Sequence, residues 1–198
     1  MYLYGASSHG KVVAEVAEEN GYHIIGFIDE NKYKNKMLDY QVFHELPLEN
    51  IDIIISIGNN KIRKNIADKN TLFNYVTLLH PKSLISKRVS IEEGSVVMSG
   101  VSINSSVNIG KHCIINTNSS IDHDCVVEDF VHVSPNVALG GNVYVGEGTH
   151  IGLGASVIQG IRIGRWCTIG AGAVIINDIP DGATVVGNPG RIIKVIEL

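Results

Sequence analysis

Aliphatic residues recur at every sixth position through the second half of the chain, from Ile85 to Ile175. Sixteen consecutive positions of this register carry isoleucine, leucine or valine without an insertion: Ile85, Ile91, Val97, Ile103, Ile109, Ile115, Ile121, Val127, Val133, Leu139, Val145, Ile151, Val157, Ile163, Ile169 and Ile175. Because these residue types make up about a quarter of ordinary chains, an unbroken run indicates a structural repeat. A period of six predicts a parallel β-helix, in which three short strands and their turns form a coil of about eighteen residues.

The first 79 residues follow a different pattern, in which short apolar runs alternate with helical ones. Strands are predicted at residues 1–4, 24–27, 51–57 and around 75–79, and helices at 11–20 and 61–69. The run at 51–57 is almost wholly apolar, as expected of a parallel strand covered on both faces. We therefore predict a Rossmann-like α/β domain over residues 1–79.

His80 and Pro81 mark the end of this domain, because proline forces the preceding residue out of the helical region and the six-residue register begins shortly afterwards. The β-helix is predicted over residues 80–198, with its last repeat at Ile175. Beyond Ile175, two turns flank a short extended run. Since the ends of a β-helix expose strand edges, we expect the N-terminal domain and this C-terminal tail to cap them.

Charge and composition exclude several classes of protein. The formal net charge is -4 and the basic residues do not cluster, so the electrostatic footprint of a nucleic-acid-binding protein is missing. No apolar run approaches the roughly 20 residues that span a bilayer, and the N-terminus does not resemble a signal peptide. We expect a soluble, cytoplasmic protein without membrane insertion.

The three cysteines share one structural position, four residues after a residue of the aliphatic register. They are Cys113, Cys125 and Cys167. Small residues such as Ser119 and Ala155 fill the same position elsewhere. Because a buried thiol suits such a position, we predict structural cysteines and not disulfides or metal ligands.

Three turns of the N-terminal domain place polar groups at the carboxyl ends of its strands, where Rossmann-like sheets bind ligands. They are the glycine turn Gly5–Gly10, Asp29 and the segment Gly58–Asn60. Ala6 and Ser8 replace glycines of the dinucleotide pattern, so the signal for NAD is weak. Asp29 could accept a hydrogen bond from a ribose hydroxyl. The alternative is that these turns serve only the fold.

Residues eighteen apart stack on one another in the predicted β-helix, so the register gives each histidine a place. Four histidines avoid the inward positions, and we expect none of them to be a buried core residue: His112, His123, His132 and His150. His132 and His150 are expected to stack directly. No pair of histidines has the five-residue spacing of the zinc ligands found in some β-helices, so we expect no metal.

His123 lies at a predicted turn between Asp122 and Asp124, and Gly141 stacks on it one coil later. A histidine beside a carboxylate can be held in one tautomer and act as a general base. A glycine one coil away can bring a backbone N–H close to the same point. The alternative is that these are solvated turn residues with no further role.

Several segments together resemble the sugar O/N-acetyltransferases of the NeuD/PglD type, over nearly the whole chain. These segments are residues 4–10, 57–60 with Arg63, 119–125, 140–142 and 187–189. The pair of His123 and an acid, followed nine residues later by His132, is fairly specific, whereas hexapeptide repeats occur in many acyltransferases. The similarity is greatest to enzymes that N-acetylate a UDP-linked 4-amino-4,6-dideoxy sugar, such as the bacillosamine-pathway acetyltransferase.

The resemblance implies a left-handed β-helix and a homotrimer, with acetyl-CoA lying in each groove between neighbouring copies. It implies that His123 is the general base and that Asp124, which is glutamate in the most similar relatives, orients it. Four residues match positions that contact acetyl-CoA, with Ala171 in place of a glycine: His132, Gly141, Ala171 and Gly172. The nucleotide sugar would be bound by Gly5, Ser7, Ser8, His9, Asp29, Gly58, Asn59 and Asn116.

Other functions stay open at this point. Within enzymes, they are O-acetylation of a sialic-acid-like sugar and N-acetylation of a GDP-linked amino sugar. Outside this activity, they are a non-catalytic β-helical assembly subunit and an NAD-binding regulator. Acetyl-CoA binding distinguishes the acetyltransferase from the assembly subunit. The nucleotide that stabilises the N-terminal domain distinguishes the possible nucleotide-sugar substrates.

Overall fold

The computed structural model of the protein describes residues 1–46 and 51–198. The N-terminal elements are β1 (Tyr2–Tyr4), α1 (Ser8–Glu19), β2 (Gly26–Ile28), β3 (Lys36–Met37), β4 (Tyr40–Phe43), β5 (Asp52–Ile55), α2 (Asn60–Lys69) and β6 (Asn74–Tyr75). Their strands form one sheet in the order β3-β4-β2-β1-β5-β6, with β3 antiparallel to β4 and the other pairs parallel. The predicted Rossmann-like α/β fold is confirmed.

Side-chain caps explain where both helices begin. The Ser7 hydroxyl accepts a hydrogen bond from the Gly10 N–H at 3.2 Å, so α1 starts three residues before the predicted helix. The Asn59 side chain accepts one from the Ile62 N–H at 3.0 Å and starts α2 in the same way.

The hairpin formed by β3 and β4 was absent from the predicted elements. Its strands are two and four residues long, and Leu38 at the turn has a φ of 51°. The strongest sequence signal for such a hairpin is asparagine or aspartate followed by glycine, and this turn contains no glycine.

Two-residue strands from residue 78 to residue 175 build the β-helix, whose three sheets are called its first, second and third faces. The first face consists of β7 (Leu78–Leu79), β10 (Val96–Val97), β13 (Ile114–Ile115), β16 (His132–Val133), β19 (His150–Ile151) and β22 (Thr168–Ile169). The second consists of β8 (Leu84–Ile85), β11 (Ser102–Ile103), β14 (Ser120–Ile121), β17 (Ala138–Leu139), β20 (Ser156–Val157) and β23 (Val174–Ile175). The third consists of β9 (Ser90–Ile91), β12 (Asn108–Ile109), β15 (Val126–Val127), β18 (Tyr144–Val145) and β21 (Arg162–Ile163).

Strand pairing follows the predicted register of eighteen residues. Ile115 pairs with Val133, and Ile121 pairs with Leu139, both in parallel. The aliphatic register points inward along the whole β-helix, and only its first two members, Ile85 and Ile91, are half-buried instead of buried. This continuous column of branched side chains forms the main hydrophobic core.

The predicted positions of the cysteines are confirmed. Cys113, Cys125 and Cys167 are free thiols with at most 1% of their surface exposed. The Cys113 thiol donates to the carbonyl of Glu128 at 3.0 Å, and burial raises the pKa of this thiol to about 12. A thiol that stays protonated in a closed core is inert.

The strand expected around residues 75–79 is divided between the two parts of the protein. β6 pairs with β5 in the N-terminal sheet, whereas Leu78–Leu79 pairs with Val96–Val97 in the first face. The β-helix thus begins one strand earlier than the aliphatic register starting at Ile85 indicated. Leu79 lies six residues before Ile85 and extends the register by one position.

The N-terminal domain packs against the first face of the β-helix. The outward side chains of Leu78, Val96, Ile114 and His132 are therefore buried, although the same positions on the other two faces are mostly exposed. At the other end, β24 (Ala183–Val186) pairs with β22, and β25 (Arg191–Val195) adds an antiparallel edge strand.

Candidate active site

His123 lies in the turn between β14 and β15, at the corner that joins the second and third faces. Its Nδ1 is 2.7 Å from Oδ2 of Asp124, and about three fifths of each side chain is exposed. Asp124 adopts the left-handed conformation with a φ of 60°, which aspartate tolerates better than most residues. The hydrogen bond to Asp124, followed by the negative charge of Asp122, raises the pKa of His123.

The carboxylate of Asp122 is held by the backbone and by the preceding coil. It accepts a hydrogen bond from the His123 N–H at 2.8 Å and another from Asn104 Nδ2 at 2.7 Å. These bonds lower the pKa of Asp122, with the Asn104 bond as the largest cause. Asp122 is therefore a fixed negative charge beside His123, whereas Asp124 is the group bonded to its ring.

The imidazole ring of His123 lies directly over the backbone of Gly141. A Cβ atom at residue 141 would stand 2.7 Å from Cε1 and 2.8 Å from Nε2 of His123, which is closer than van der Waals contact allows. Within residues 1–46 and 51–198, no acceptor takes the Gly141 N–H. The predicted stacking of this pair is confirmed, and an exposed imidazole lies over a backbone N–H that has no acceptor among the described residues.

The space around His123 is an open recess of about 370 Å³. It is lined by Asp122, His123, Gly140, Gly141, Asn142, Gln159 and Gly160. A second groove of about 470 Å³ continues from Gly140 and Gln159 along the second face. Its floor carries the small outward side chains of Ser102, Ser120, Ala138 and Ser156.

The expectation that none of the four histidines is buried is wrong for His112 and His132, which are 4% and 9% exposed. Both avoid the interior of the β-helix, as predicted, but the N-terminal domain covers them from outside. The stacking of His132 on His150 is confirmed, with ring centroids 4.7 Å apart. Burial is the main reason why the pKa of His132 falls to about 3, so this ring is neutral.

His132 lies in a small polar cluster between the two domains. Its Nε2 is 3.2 Å from Nδ2 of Asn116, and its ring centroid is 6.2 Å from that of His9 on α1. Burial also lowers the pKa of His9, to about 4. Among the described residues, Nδ1 of His132 and Nε2 of His9 have no hydrogen-bond partner. Two predicted substrate-binding residues and one predicted cofactor-binding residue thus meet here.

In the glycine turn, the predicted binding residues also have structural roles. Gly5 has a φ of 115°, and a Cβ at Gly10 would stand 2.6 Å from the carbonyl oxygen of Gly5, so both positions require glycine. Ser7 caps α1 and donates to the Ser56 carbonyl at 3.1 Å, whereas Ser8 is exposed. The turn is therefore fixed in shape before any ligand arrives.

The carboxylate of Asp29 has more hydrogen-bond partners than the sequence indicated. Its Oδ2 accepts hydrogen bonds from the Ala6 N–H at 3.0 Å and from Lys34 Nζ at 2.9 Å, and its Oδ1 accepts one from the Asn31 N–H. The pKa of Asp29 is lowered, because these bonds outweigh the opposing effect of its partial burial. Lys34 gave no sequence signal, because it lies outside the three turns that were singled out.

A recess of about 270 Å³ opens at the carboxyl ends of β1, β2 and β5. It brings together Gly5 and Asp29, as predicted, and adds residues that sequence reasoning missed: Tyr4, Glu30, Ile57, Ile62, Asn65, Ile66, Lys69 and Asn70. The Gly58 backbone faces open space, since a Cβ there would meet nothing within 4 Å. Half of the missed residues are on α2, which gave no specific motif.

The predicted site residues fall into two separate groups in one chain. His123 and Gly141 lie at the corner between the second and third faces. Asn116 and Gly172 lie at the corner between the first and second faces, on the side where the N-terminal domain packs. Ala171 and Gly172 are exposed there, and Gly172 has a φ of 67°. A whole face of the β-helix therefore separates the two groups.

Residues 1–46 and 51–198 contain neither a preformed metal site nor a helix that could span a membrane. No group of three or more histidine, cysteine, aspartate or glutamate side chains is arranged to hold a metal ion. Neither α1 nor α2 is long and apolar enough to cross a membrane.

Comparison with known proteins identifies the family. Residues 1–70 match the family model described as the PglD N-terminal domain. The acetyltransferase domain of PglB from Neisseria gonorrhoeae FA1090, solved in complex with acetyl coenzyme A, is 38% identical, with a TM-score of 0.91 over 97% of this chain and 98% of that chain. The chain belongs to the PglD-type family of sugar N-acetyltransferases. It is an enzyme that uses acetyl-CoA.

Other members of the PglD-type family differ in their nucleotide-sugar substrates. A mutant of perosamine N-acetyltransferase from Caulobacter crescentus, in complex with CoA and GDP-perosamine, is 33% identical with a TM-score of 0.92, covering 96% of this chain and 95% of that chain. The UDP-N-acetylbacillosamine N-acetyltransferase of Bacillus subtilis (strain 168) is 37% identical over 108 residues, which are 49% of this chain and 50% of the relative.

Proposed function

We propose that this enzyme transfers the acetyl group of acetyl-CoA to the amine of a UDP-linked 4-amino-4,6-dideoxy sugar in cytoplasmic glycan biosynthesis. His123 acts as the general base. The observation that carries this proposal is the exposed pair of His123 and Asp124 at 2.7 Å, with its ring over the free N–H of Gly141.

The reaction needs a proton acceptor and a donor for an oxyanion. The sugar amine attacks the thioester carbon, a C–N bond forms, and the carbonyl oxygen becomes negative. The Gly141 N–H stabilises that oxygen, and Nε2 of His123 removes the proton from the nitrogen. The C–S bond then breaks, and the proton passes to the departing thiolate of CoA. Asp124 keeps the proton of the neutral ring on Nδ1, which leaves Nε2 free as the base.

Other residues bind the two substrates. His132, Ala171 and Gly172 contact acetyl-CoA, and the neutral state of His132 allows its ring to donate or accept a hydrogen bond. The nucleotide sugar is bound by Gly5, Ser7, Ser8, His9, Asp29, Gly58, Asn59 and Asn116. The recess between Asp29 and α2 is the place for the nucleotide.

We propose a homotrimer, because one chain separates the two halves of the site. The second face carries the small side chains of Ser102, Ser120, Ala138 and Ser156, which allow close approach of another copy. Packing of these faces around a threefold axis brings His123 of one copy beside Asn116 and Gly172 of the next. Each site then has its base from one chain and its nucleotide-binding domain from another.

A GDP-linked amino sugar is the second candidate, because relatives that act on either nucleotide are similar to this chain. The shift in melting temperature with UDP, GDP or CMP distinguishes the possible nucleotide-sugar substrates, since a ligand that binds only the native state raises the stability of the protein. We expect UDP to give the largest shift. A larger shift with GDP contradicts the UDP assignment and leaves the acetyltransferase assignment intact.

The direct test is consumption of acetyl-CoA with a panel of UDP- and GDP-linked 4-amino sugars and their hydroxyl analogues. We expect rapid transfer to a UDP-linked amine and no transfer to the analogue with a hydroxyl at that carbon. Transfer to the hydroxyl analogue alone contradicts N-acetylation of this sugar class.

A further inference from the structure

The first turn of α2 bonds to the β-helix as well as to its own domain. Arg63 is 1% exposed, and it donates to the carbonyl of His112 at 2.7 Å and to that of Phe130 at 2.8 Å. Asn60 donates to the carbonyl of Gly148 at 3.0 Å. These three acceptors lie eighteen residues apart, at the same corner of three successive coils.

The corner carbonyls are available because the β-helix does not use them. At each of these turns the residue is left-handed, with φ of 53° at His112, 59° at Phe130 and 68° at Gly148. Their N–H groups bond to the preceding coil, whereas no backbone N–H of residues 1–46 and 51–198 takes their carbonyls. Adjacent coils are about 4.8 Å apart. The bonds of Arg63 and Asn60 to three successive coils therefore fix the position of α2 along the axis of the β-helix.

The same guanidinium holds the segment that follows β5. Arg63 Nη1 donates to the carbonyl of Ile57 at 3.1 Å, and Nη2 donates to Oδ1 of Asn60 at 2.9 Å. No carboxylate of a described residue pairs with it. Burial lowers the pKa of Arg63 to about 10. A buried cation without an acidic partner is costly, so stability alone is a poor reason for an arginine here.

We propose that Arg63 is a positioning residue for acetyl transfer. It fixes the position of the Gly58–Asn60 segment along the β-helix axis, and hence the distance from the bound nucleotide to the base. This inference rests on the proposed function. The five-donor fork serves both domains at once, and a lysine in its place keeps the charge but cannot span these acceptors. Displacing the segment leaves both substrates bound and moves the amine away from the thioester.

The test compares Arg63→Lys with Glu15→Gln, a control at an exposed position of α1. For Arg63→Lys we expect UDP and acetyl-CoA affinities within about twofold of wild type and a kcat per CoA-binding site reduced about tenfold or more. Glu15→Gln keeps the wild-type kcat. If Arg63 only stabilises the fold, the melting temperature falls while kcat per CoA-binding site stays unchanged, and that result overturns the inference.

A milder variant keeps the proposal testable if Arg63→Lys does not fold. Asn60→Ser removes the amide that bonds to the carbonyls of Gly148 and Thr149 and to Arg63, while retaining a short polar side chain. We expect a smaller fall in kcat with unchanged substrate affinities. Wild-type kcat in Asn60→Ser overturns the proposed positioning. If the wild-type enzyme itself acetylates no nucleotide-linked amine, the proposed function fails independently of these variants.

Discussion

The two parts of the molecule place their functional residues by different physical means. In the β-helix the period of six fixes every position, so His123 and Gly141 meet because they are eighteen residues apart. In the N-terminal domain no period relates the turns, and Asp29 acquires its partners through contacts with Ala6 and Lys34. A regular fold thus gives a residue its neighbours directly, whereas an irregular fold gives them only through tertiary packing.

The largest expected effect comes from removing the proposed base, which lies in the β-helix. His123→Ala should lower kcat by about 10²–10⁴-fold, the usual contribution of a general base. Thermal unfolding should be unchanged, because the ring is more than half exposed. Lys87→Ala, an exposed change in the column of His123 two coils away, should leave both quantities as in wild type. Near-normal turnover of His123→Ala contradicts the assignment of the base.

The second effect is on the interface between the two parts, where buried histidines should make stability depend on pH. The pKa values of His9 and His112 are about 4 and that of His132 is about 3 in the folded protein, mainly through burial, against 6.5 when exposed. The unfolded chain therefore binds more protons below pH 6.5, and stability falls as the pH drops from 6.5 towards 4. At pH 4, each of these three histidines lowers the free energy of unfolding by on the order of 3 kcal/mol.

Urea unfolding at a series of pH values measures this loss. His112→Gln should flatten the dependence between pH 6.5 and 4, whereas removal of the exposed His123 should not. A stability that does not change over this range contradicts the neutral, buried state of these rings.

The third effect tests the contact between two coils. Gly141→Ala places a Cβ within 2.8 Å of the His123 ring, so the ring must move while the fold stays intact. We expect kcat to fall about 10–100-fold, because catalytic geometry tolerates little displacement. The acetyl-CoA concentration dependence and the melting temperature are the accompanying measurements. A Gly141→Ala enzyme with wild-type kcat contradicts the role of this stacking.

The smallest effect concerns the orientation of the proposed base, His123. Asp124→Asn keeps a side chain that tolerates the left-handed backbone but removes the main cause of the raised pKa of His123. We expect kcat/KM to fall about tenfold at its plateau. The acidic limb of the kcat/KM–pH profile should shift to lower pH, because a lower pKa keeps the His123 ring neutral in more acidic solution. A limb that stays in place or moves to higher pH contradicts the pairing.

The comparison also explains what could be predicted from the sequence. The β-helix, its buried cysteines and the stacking of His132 on His150 follow from the register alone. The burial of His132 does not, because the cover comes from α1, which is more than a hundred residues away in sequence. Arg63 belonged to the family resemblance, but its bonds to two coils of the β-helix became visible only with the two domains in place.

In the proposed trimer, each active site combines the His123 corner of one copy with the N-terminal half of the next. Two variants test this sharing: His123→Ala removes the proposed base, and Asn116→Trp fills the opposite corner, so each should be inactive alone. In trimers assembled from equal amounts of both, we expect recovery of about a quarter of the wild-type activity, because one neighbouring pair in four is intact. If both halves of a site come from one chain, the mixed trimers stay inactive, and this result contradicts a site shared between copies.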